Sequence, residues 1–419
     1  MIDQPYRPTR VGSASFRRLG PSELTDALCN ARNYTLALFE RFSAAGLDDS
    51  AQLPYLQTIN PPLWELGHLA WFAEWYVLRE ASSSAPDAAR RRSLLRRGDE
   101  WFNSNTVAHT ARWSLDLPTT GAIKTYCHEV LDRCIDKLSH EENSDAALYP
   151  YRLVLAHEDM HGEALLATLQ TLDIGLSTAL QYPALRSWAQ GSIDFPGGSH
   201  SLGSLPASGF VFDNEKFSHP VRLAAFNIDS TLVTYRQFRE FVDDGGYEQG
   251  NYWSAAGRVW LAHQNDQQQN QQSEQSSPRQ APRDWVQRDG TWRCRRFGEL
   301  MLLPDQQPVR HVSLYEAQAY CSWADRRLPT EAEWEAAAVS QHAAFRWGDL
   351  WEWTCSAFEP YPQFEADAYR EYSAPWFGSH QSVRGASFAT AQRFRSPRYR
   401  NFYLPQRDDM FIGFRTCAL

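Results

Sequence analysis

The sequence predicts a two-domain α+β protein, with a helical bundle over residues 1–185 and a loop-rich mixed domain over residues 186–419. Three observations carry that expectation. Apolar positions recur at three- and four-residue steps through the first part of the chain, the period of a helix with one buried face. From about Trp188 onward, short aromatic and β-branched stretches alternate with Gly, Pro, Asn and Asp, the texture of strands joined by tight turns. A chain of 419 residues is long for one core at roughly 100–200 residues per domain, and its 43% hydrophobic content supplies apolar surface for two.

The first helix opens at Pro21-Ser22-Glu23-Leu24 and runs through Leu28, Ala31, Leu36, Leu38 and Phe39. A second follows Pro61-Pro62 over 63–79, a third spans 119–139, and a fourth spans 148–172 with Tyr149-Pro150 near its start. Four such segments suit an antiparallel bundle whose long connections lie between 80 and 118. Arg90, Arg91, Arg92, Arg96 and Arg97 fall in that connection and read as a solvated loop. In the second half, strand-like stretches occur at 193–196, 210–214, 221–228, 383–387 and 411–416, and helical patches at 234–243, 314–325 and 330–339. Thr330 with Glu333 forms a capping box at the start of the last of these. Residues 262–284 are Gln-rich and nearly free of aliphatics, so they read as an exposed, mobile insertion.

Charge and cysteine usage narrow the partners. With 41 Lys plus Arg against 50 Asp plus Glu, the net charge of -9 argues against nucleic acid or an anionic membrane as the main partner. No apolar run approaches the roughly 18 residues of a membrane span. The N-terminal stretch is basic without an apolar segment, unlike a secretory signal, and a cytoplasmic location is expected. The 7 cysteines are scattered without a CxxC pair, as reduced thiols are. A monomer or weak homo-oligomer is expected.

The strongest chemical signal lies in Leu155-Ala156-His157-Glu158-Asp159-Met160-His161-Gly162-Glu163. His157 and His161 are i,i+4 neighbours on one helix face and can present two imidazoles to one metal ion. Glu163 lies about 240° round the helix from His157, which suits a structural carboxylate better than a third ligand. His68, in Trp64-Glu65-Leu66-Gly67-His68-Leu69-Ala70-Trp71, sits in an apolar helix facing the bundle interior and is the candidate third ligand. Singly, an HxxxH pair is often a surface pattern and a lone histidine often a core residue. As a trio, three neutral imidazoles leave open positions on an octahedral ion, which suits mononuclear non-haem iron; zinc also fits the ligands.

Further motifs carry a family resemblance. Arg327-Leu328-Pro329-Thr330-Glu331-Ala332-Glu333-Trp334-Glu335, Trp351-Glu352-Trp353-Thr354 and the Gly413-Phe414-Arg415 tail resemble the formylglycine-generating-enzyme-like (sulfatase-modifying factor) domain, a C-type-lectin-like fold. The histidine-bearing half resembles a DinB-like four-helix bundle. In this order the two are similar to the ergothioneine-type sulfoxide synthases and the related selenoneine synthases. No reactive cysteine pair suggests formylglycine generation itself, which would also leave the histidine trio without a role.

The resemblance implies an enzyme with Fe(II) held by His68, His157 and His161, with O2 as co-substrate, joining hercynine to a chalcogen donor. It implies Tyr369 as the catalytic tyrosine, with Tyr372 beside it, Asn401 as a contact to the amino-acid portion of hercynine, and Phe402 in the same pocket. The quaternary ammonium of hercynine cannot donate a hydrogen bond, so an aromatic face is its natural receptor. For the donor, Arg112 matches one arginine of the cradle that binds γ-glutamylcysteine, but Leu117 stands where a second is expected and Tyr403 where an acidic residue follows the asparagine. The tail beginning Arg407-Asp408-Asp409 resembles the selenoneine branch. The expected donor is therefore a selenosugar, with γ-glutamylcysteine or cysteine as the alternative.

Overall fold

Pro21 starts α1 (Pro21–Ala44), where the Gly20 N–H is capped by the Glu23 carboxylate at 3.1 Å. The computed structural model of the chain describes residues 15–182, 185, 187–205, 209–270 and 278–419, with the backbone alone for 267–270. Pro62 starts α2 (Pro62–Ala73), which is buried on every side and is the central helix of the bundle. It widens into a π-helical turn at Glu74–Leu78. The buried Glu74 carboxylate there accepts from Tyr126 Oη at 2.5 Å and Ser93 Oγ at 3.0 Å, which ties α2 to its neighbours. The connection carries a short α3 (Gly98–Phe102) and a 3-10 turn at His109–Trp113. Thr119 caps α4 (Thr120–Leu138). The last helix of this half, α5 (Asp145–Thr171), begins three residues before the apolar pattern suggests, because Ser144 caps it, and it carries Pro150 inside. Helix α1 packs on α5, and α2 packs on both α4 and α5.

Gly67 makes a close approach possible: a Cβ there would stand 2.3 Å from the Phe102 ring. Its absence lets α3 lie directly against α2, which places the Phe102 backbone beside His68.

The second half is built from short antiparallel pairs and one larger sheet. Strand β1 (Ser192–Phe195) pairs with β4 (Phe226–Asp229), and β2 (Gly198–Leu202) with β3 (His219–Leu223). Strands β5 (Trp285–Arg288), β6 (Thr291–Arg296) and β7 (Glu299–Leu302) form a meander. The central sheet has the order β10-β9-β8-β11, from β8 (Trp351–Ala357), β9 (Gln381–Gly385), β10 (Asn401–Tyr403) and β11 (Ile412–Gly413), with only β11 parallel to its neighbour. Helices α6 (Tyr235–Asp243), α8 (Leu314–Trp323) and α9 (Glu331–Val339) each begin at a capping box, including the Thr330–Glu333 box expected from sequence.

Three sequence expectations are corrected. The stretch 210–214 is no strand: it turns into a 3-10 segment at Asp213–Glu215, because Phe210 and Phe212 both pack on Phe16. The stretch 221–228 divides into the end of β3 and the start of β4. The Gln-rich segment 262–284 is not one exposed loop. Helix α7 (Ala255–Asn270) runs into it, residues 271–277 lie outside the description, and Arg279 beyond them is anchored to Glu316 at 2.8 Å and Asp408 at 2.9 Å. Two carboxylates facing one buried guanidinium hold that end against the fold, and Ala281 and Pro282 are buried after it.

Both halves share one apolar core, from Leu24 and Trp64 to Trp353 and Phe414. Polar clamps cross between them: Arg393 pairs with Asp159 at 2.6 Å, and Arg17, just before α1, pairs with Glu215 at 2.8 Å. No helix among the described residues is long and apolar enough to cross a membrane.

Candidate metal centre

The facing sides of α2 and α5 carry the candidate centre. His157 and His161 lie one turn apart on α5, His68 faces them from α2, and one ligand atom from each lies within 4.8 Å of the others. Among the described residues this is the group of His, Cys, Asp and Glu side chains able to hold a metal ion.

Each ring is held by a neighbour. His68 Nδ1–H donates to the Phe102 carbonyl at 2.8 Å, and because a carbonyl only accepts, Nε2 is left with its lone pair. His161 Nδ1–H donates to Glu65 Oε1 at 2.7 Å, with the same result. His157 is fixed by stacking, its ring 3.6 Å from that of Phe72 and nearly parallel to it. Trp64 stacks on His68 at 4.9 Å. Burial holds His68 well below the usual imidazole range, with the nearby His161 adding to the effect, and burial followed by the two other histidines does the same for His157. Three imidazoles at this separation, two of them hydrogen-bonded through Nδ1, fit a divalent transition metal.

Glu65 escaped the sequence reading. It lies one turn before His68 on an otherwise apolar helix and is 1% exposed, and a carboxylate in such a run is its only local signal. Glu163 turns away from the centre, accepting from Trp351 Nε1 at 2.7 Å, Ser387 Oγ at 2.5 Å and Thr390 Oγ1 at 2.7 Å. It therefore clamps α5 to the second half.

Of the other expected site residues, Tyr369 and Arg112 lie near the histidines. The Tyr369 ring is 4.9 Å from Phe72, edge to face, and 6.0 Å from His157. Burial, with Glu371 adding, raises its phenol above the usual range, while Arg112 acts in the opposite sense. Arg112 lies over Trp64 at 3.9 Å and donates to Asn60 Oδ1 at 2.7 Å. Burial pulls its guanidinium down to about 10 against the opposing effect of Glu65 and Tyr369, and its buried Nε has no hydrogen-bond partner.

Tyr372 spends its hydroxyl on Tyr399 at 2.7 Å and stacks on Phe212 at 4.5 Å. Asn401 donates to the Tyr403 hydroxyl at 3.1 Å, so these two share a face of β10. Phe402 alternates to the other face, stacked on Phe358 at 4.2 Å, and does not share a wall with Asn401. Arg407 is bound at both ends of its fork by Asp409, at 2.5 and 2.7 Å.

Three histidines of the helical half that could hold one metal ion, with Tyr369 of the α+β half 6.0 Å from one of them, are an arrangement consistent with a non-haem metalloenzyme. Residues 180–350 match the model of the sulfatase-modifying factor enzyme 1-like domain. The hercynine oxygenase of Mycolicibacterium smegmatis is 31% identical over 446 residues, spanning 94% of this chain and 97% of its own. That of Mycobacterium tuberculosis is 30% identical over 447 residues, spanning 94% and 98%. The formylglycine-generating enzyme of Streptomyces coelicolor is 34% identical over 180 residues, but spans only 41% of this chain and 55% of its own. The chain belongs to the hercynine oxygenase family.

Proposed function

We propose that the protein is an Fe(II)- and O2-dependent oxygenase that joins the imidazole C2 of hercynine to a thiol donor, γ-glutamylcysteine or cysteine. The observation that carries this reading is the cluster of three histidines, each with a ligand atom within 4.8 Å of the others, in a chain that spans hercynine oxygenases almost end to end. His68, His157 and His161 would hold the iron, which would supply the redox capacity for the coupling. In the balanced reaction the C2 and thiol hydrogens leave with one oxygen atom of O2 as water, and the other oxygen stays on sulfur as a sulfoxide.

The side chains divide the remaining work. Phe72 and Trp64 wall His157 and His68 with apolar surface. Tyr369 keeps its phenolic proton at neutral pH and offers it to the reacting atoms. Asn401 and Tyr403 provide a polar edge for the amino-acid end of hercynine. Arg112, a half-buried cation without a carboxylate partner, gains from a donor that carries one.

The selenosugar donor expected from the tail has less support, since the relatives named above are hercynine oxygenases. One observation still favours it as a second reading: Asp409 neutralises Arg407, and Tyr403 and Leu117 bring no charge, so much of the wall suits a neutral, hydroxyl-rich donor. The test is O2 consumption and product mass with Fe(II), hercynine and each donor in parallel. Turnover with the thiols supports the first reading. Turnover with the selenosugar alone replaces it with the second, and no hercynine-dependent O2 uptake with any donor sinks both.

A further inference from the structure

Beyond the C-terminal end of α5, a cavity of about 320 Å³ opens between the segment after that helix and the β6–β7 hairpin. Its wall includes Leu176, Phe297, Met301 and Phe388, and it is also lined by Arg310 and Arg296. None of its lining residues belongs to the metal centre. Phe388 follows Ser387, whose hydroxyl binds Glu163, and Glu163 lies about 200° round α5 from His161.

Arg310 at this cavity has no ion-pair partner among the described residues. Arg310 is 5% exposed, and its buried Nε and Nη2 have no hydrogen-bond partner. Its guanidinium carbon stands 5.6 Å from the Phe388 ring. Arg296 brings a second positive charge and donates to Gln307 at 3.0 Å. Burial lowers the Arg310 pKa, and the like charge of Arg296 lowers it further. Asp284 is the carboxylate that opposes this, but it accepts from Gln170 at 3.0 Å and makes no ion pair or hydrogen bond with Arg310 among the described residues. Glu299, also on the lining, is exposed. A buried guanidinium with unpartnered N–H groups is costly unless an anion meets it. The apolar wall disfavours a bare inorganic anion, which would lose its hydration against Phe, Leu and Met side chains.

We propose that this cavity is a binding site for a small organic carboxylate, with the carboxylate on Arg310 and an apolar body against Leu176, Met301, Phe297 and Phe388. The volume lies at the small end of ligand pockets, which limits the body to about one ring or a short chain. The site goes beyond the oxygenase reading and does not depend on it.

Calorimetric titration of the full chain, with and without Fe(II), tests the site with phenylacetate, indole-3-acetate, octanoate, the uncharged phenylacetamide and inorganic phosphate. At least one carboxylate should bind saturably at one site, equally with and without iron, and Arg310→Gln should weaken it roughly tenfold or more. Phenylacetamide should show a loss of similar size against phenylacetate. Met301→Trp, a substitution at a half-buried hairpin position, should block the cavity and abolish binding even if the arginine variant does not fold. The proposal is overturned if none of the three carboxylates binds, if phosphate binds as tightly as they do, or if Met301→Trp leaves their affinity unchanged.

Discussion

Glu65 Oε1 accepts the Nδ1 proton of His161 across the interface of α2 and α5, at 2.7 Å. One helix thus contributes both a candidate ligand, His68, and the carboxylate that orients a ligand on the other. Such an outer partner fixes the tautomer and raises the basicity of the coordinating nitrogen. Replacing Glu65 with Ala should weaken Fe(II) binding by roughly 10- to 100-fold in an anaerobic titration. Glu65→Gln keeps a carbonyl oxygen for the bond and should lose less. Equal affinity in both variants and the parent would remove the orienting role.

Gly67 connects packing to the same centre. A methyl group at this position would meet the Phe102 ring at 2.3 Å on a crowded face of α2. The aromatic ring and the α3 backbone must then retreat, taking with them the carbonyl that receives His68 Nδ1–H. Gly67→Ala should therefore cost about 1–3 kcal/mol of stability in denaturant unfolding, despite the better helix propensity of alanine, and should also weaken iron binding. A variant as stable as the parent would show that α3 yields freely.

These two relationships mark where sequence reasoning stops. The i,i+4 spacing of His157 and His161 is local and could be read directly, as could the apolar helix carrying His68 and the capping box at Thr330. Glu65 has no meaning until α2 packs on α5. The Phe102 carbonyl belongs to the backbone and leaves no side-chain signature at all. The Gln-rich segment misled for a related reason: its composition lacks the aliphatics that order a loop, but Arg279 orders its far end by pairing with Glu316 and Asp408, which lie far away in the chain. Phe402 shows the limit of carrying a motif over as a block, since β-strand alternation turns it away from its neighbour Asn401.

Asp213 predicts a pH dependence. Burial, opposed by the Ser373 hydroxyl and reinforced by Asp367, raises its carboxyl from 3.8 to about 6. Because the folded-state pKa is above the unfolded one, the proton is held more tightly in the fold. The associated stability is fully present below about pH 4 and is lost as pH rises through about 6. Asp213→Asn mimics the protonated side chain and retains an acceptor for Ser373. Its stability relative to the parent should rise across that interval by on the order of 2 kcal/mol, read from unfolding curves at several pH values. A flat difference between the two proteins would mean that Asp213 does not titrate there.

Tyr369 and the metal site should separate experimentally. Its ring packs on Phe72, and Tyr369→Phe preserves that contact while removing the phenolic proton. Fe(II) affinity should stay within about twofold, whereas the yield of coupled product per O2 consumed should fall. A loss of iron binding would make the residue structural, and unchanged coupling would move the proton donor elsewhere.

Under the proposed reaction, Arg112 should discriminate between charged and neutral donors. Its guanidinium lies on Trp64, which in turn stacks on His68, so a carboxylate bound there would bring its attached thiol alongside the metal centre. The existing partners, Asn60 Oδ1 and two backbone carbonyls, are neutral, and the buried Nε has none. A charged donor carboxylate therefore adds an interaction that the resting protein does not satisfy. For such a donor, Arg112→Met should lower kcat/KM by roughly 10- to 100-fold, mainly through KM, because the lost contact holds the substrate before and during reaction alike. For a neutral sugar donor the same change removes little charge complementarity, and kcat/KM should move by less than about threefold. Measuring the variant with both donors makes the ratio of the two losses the deciding quantity, since any shared structural damage cancels from it.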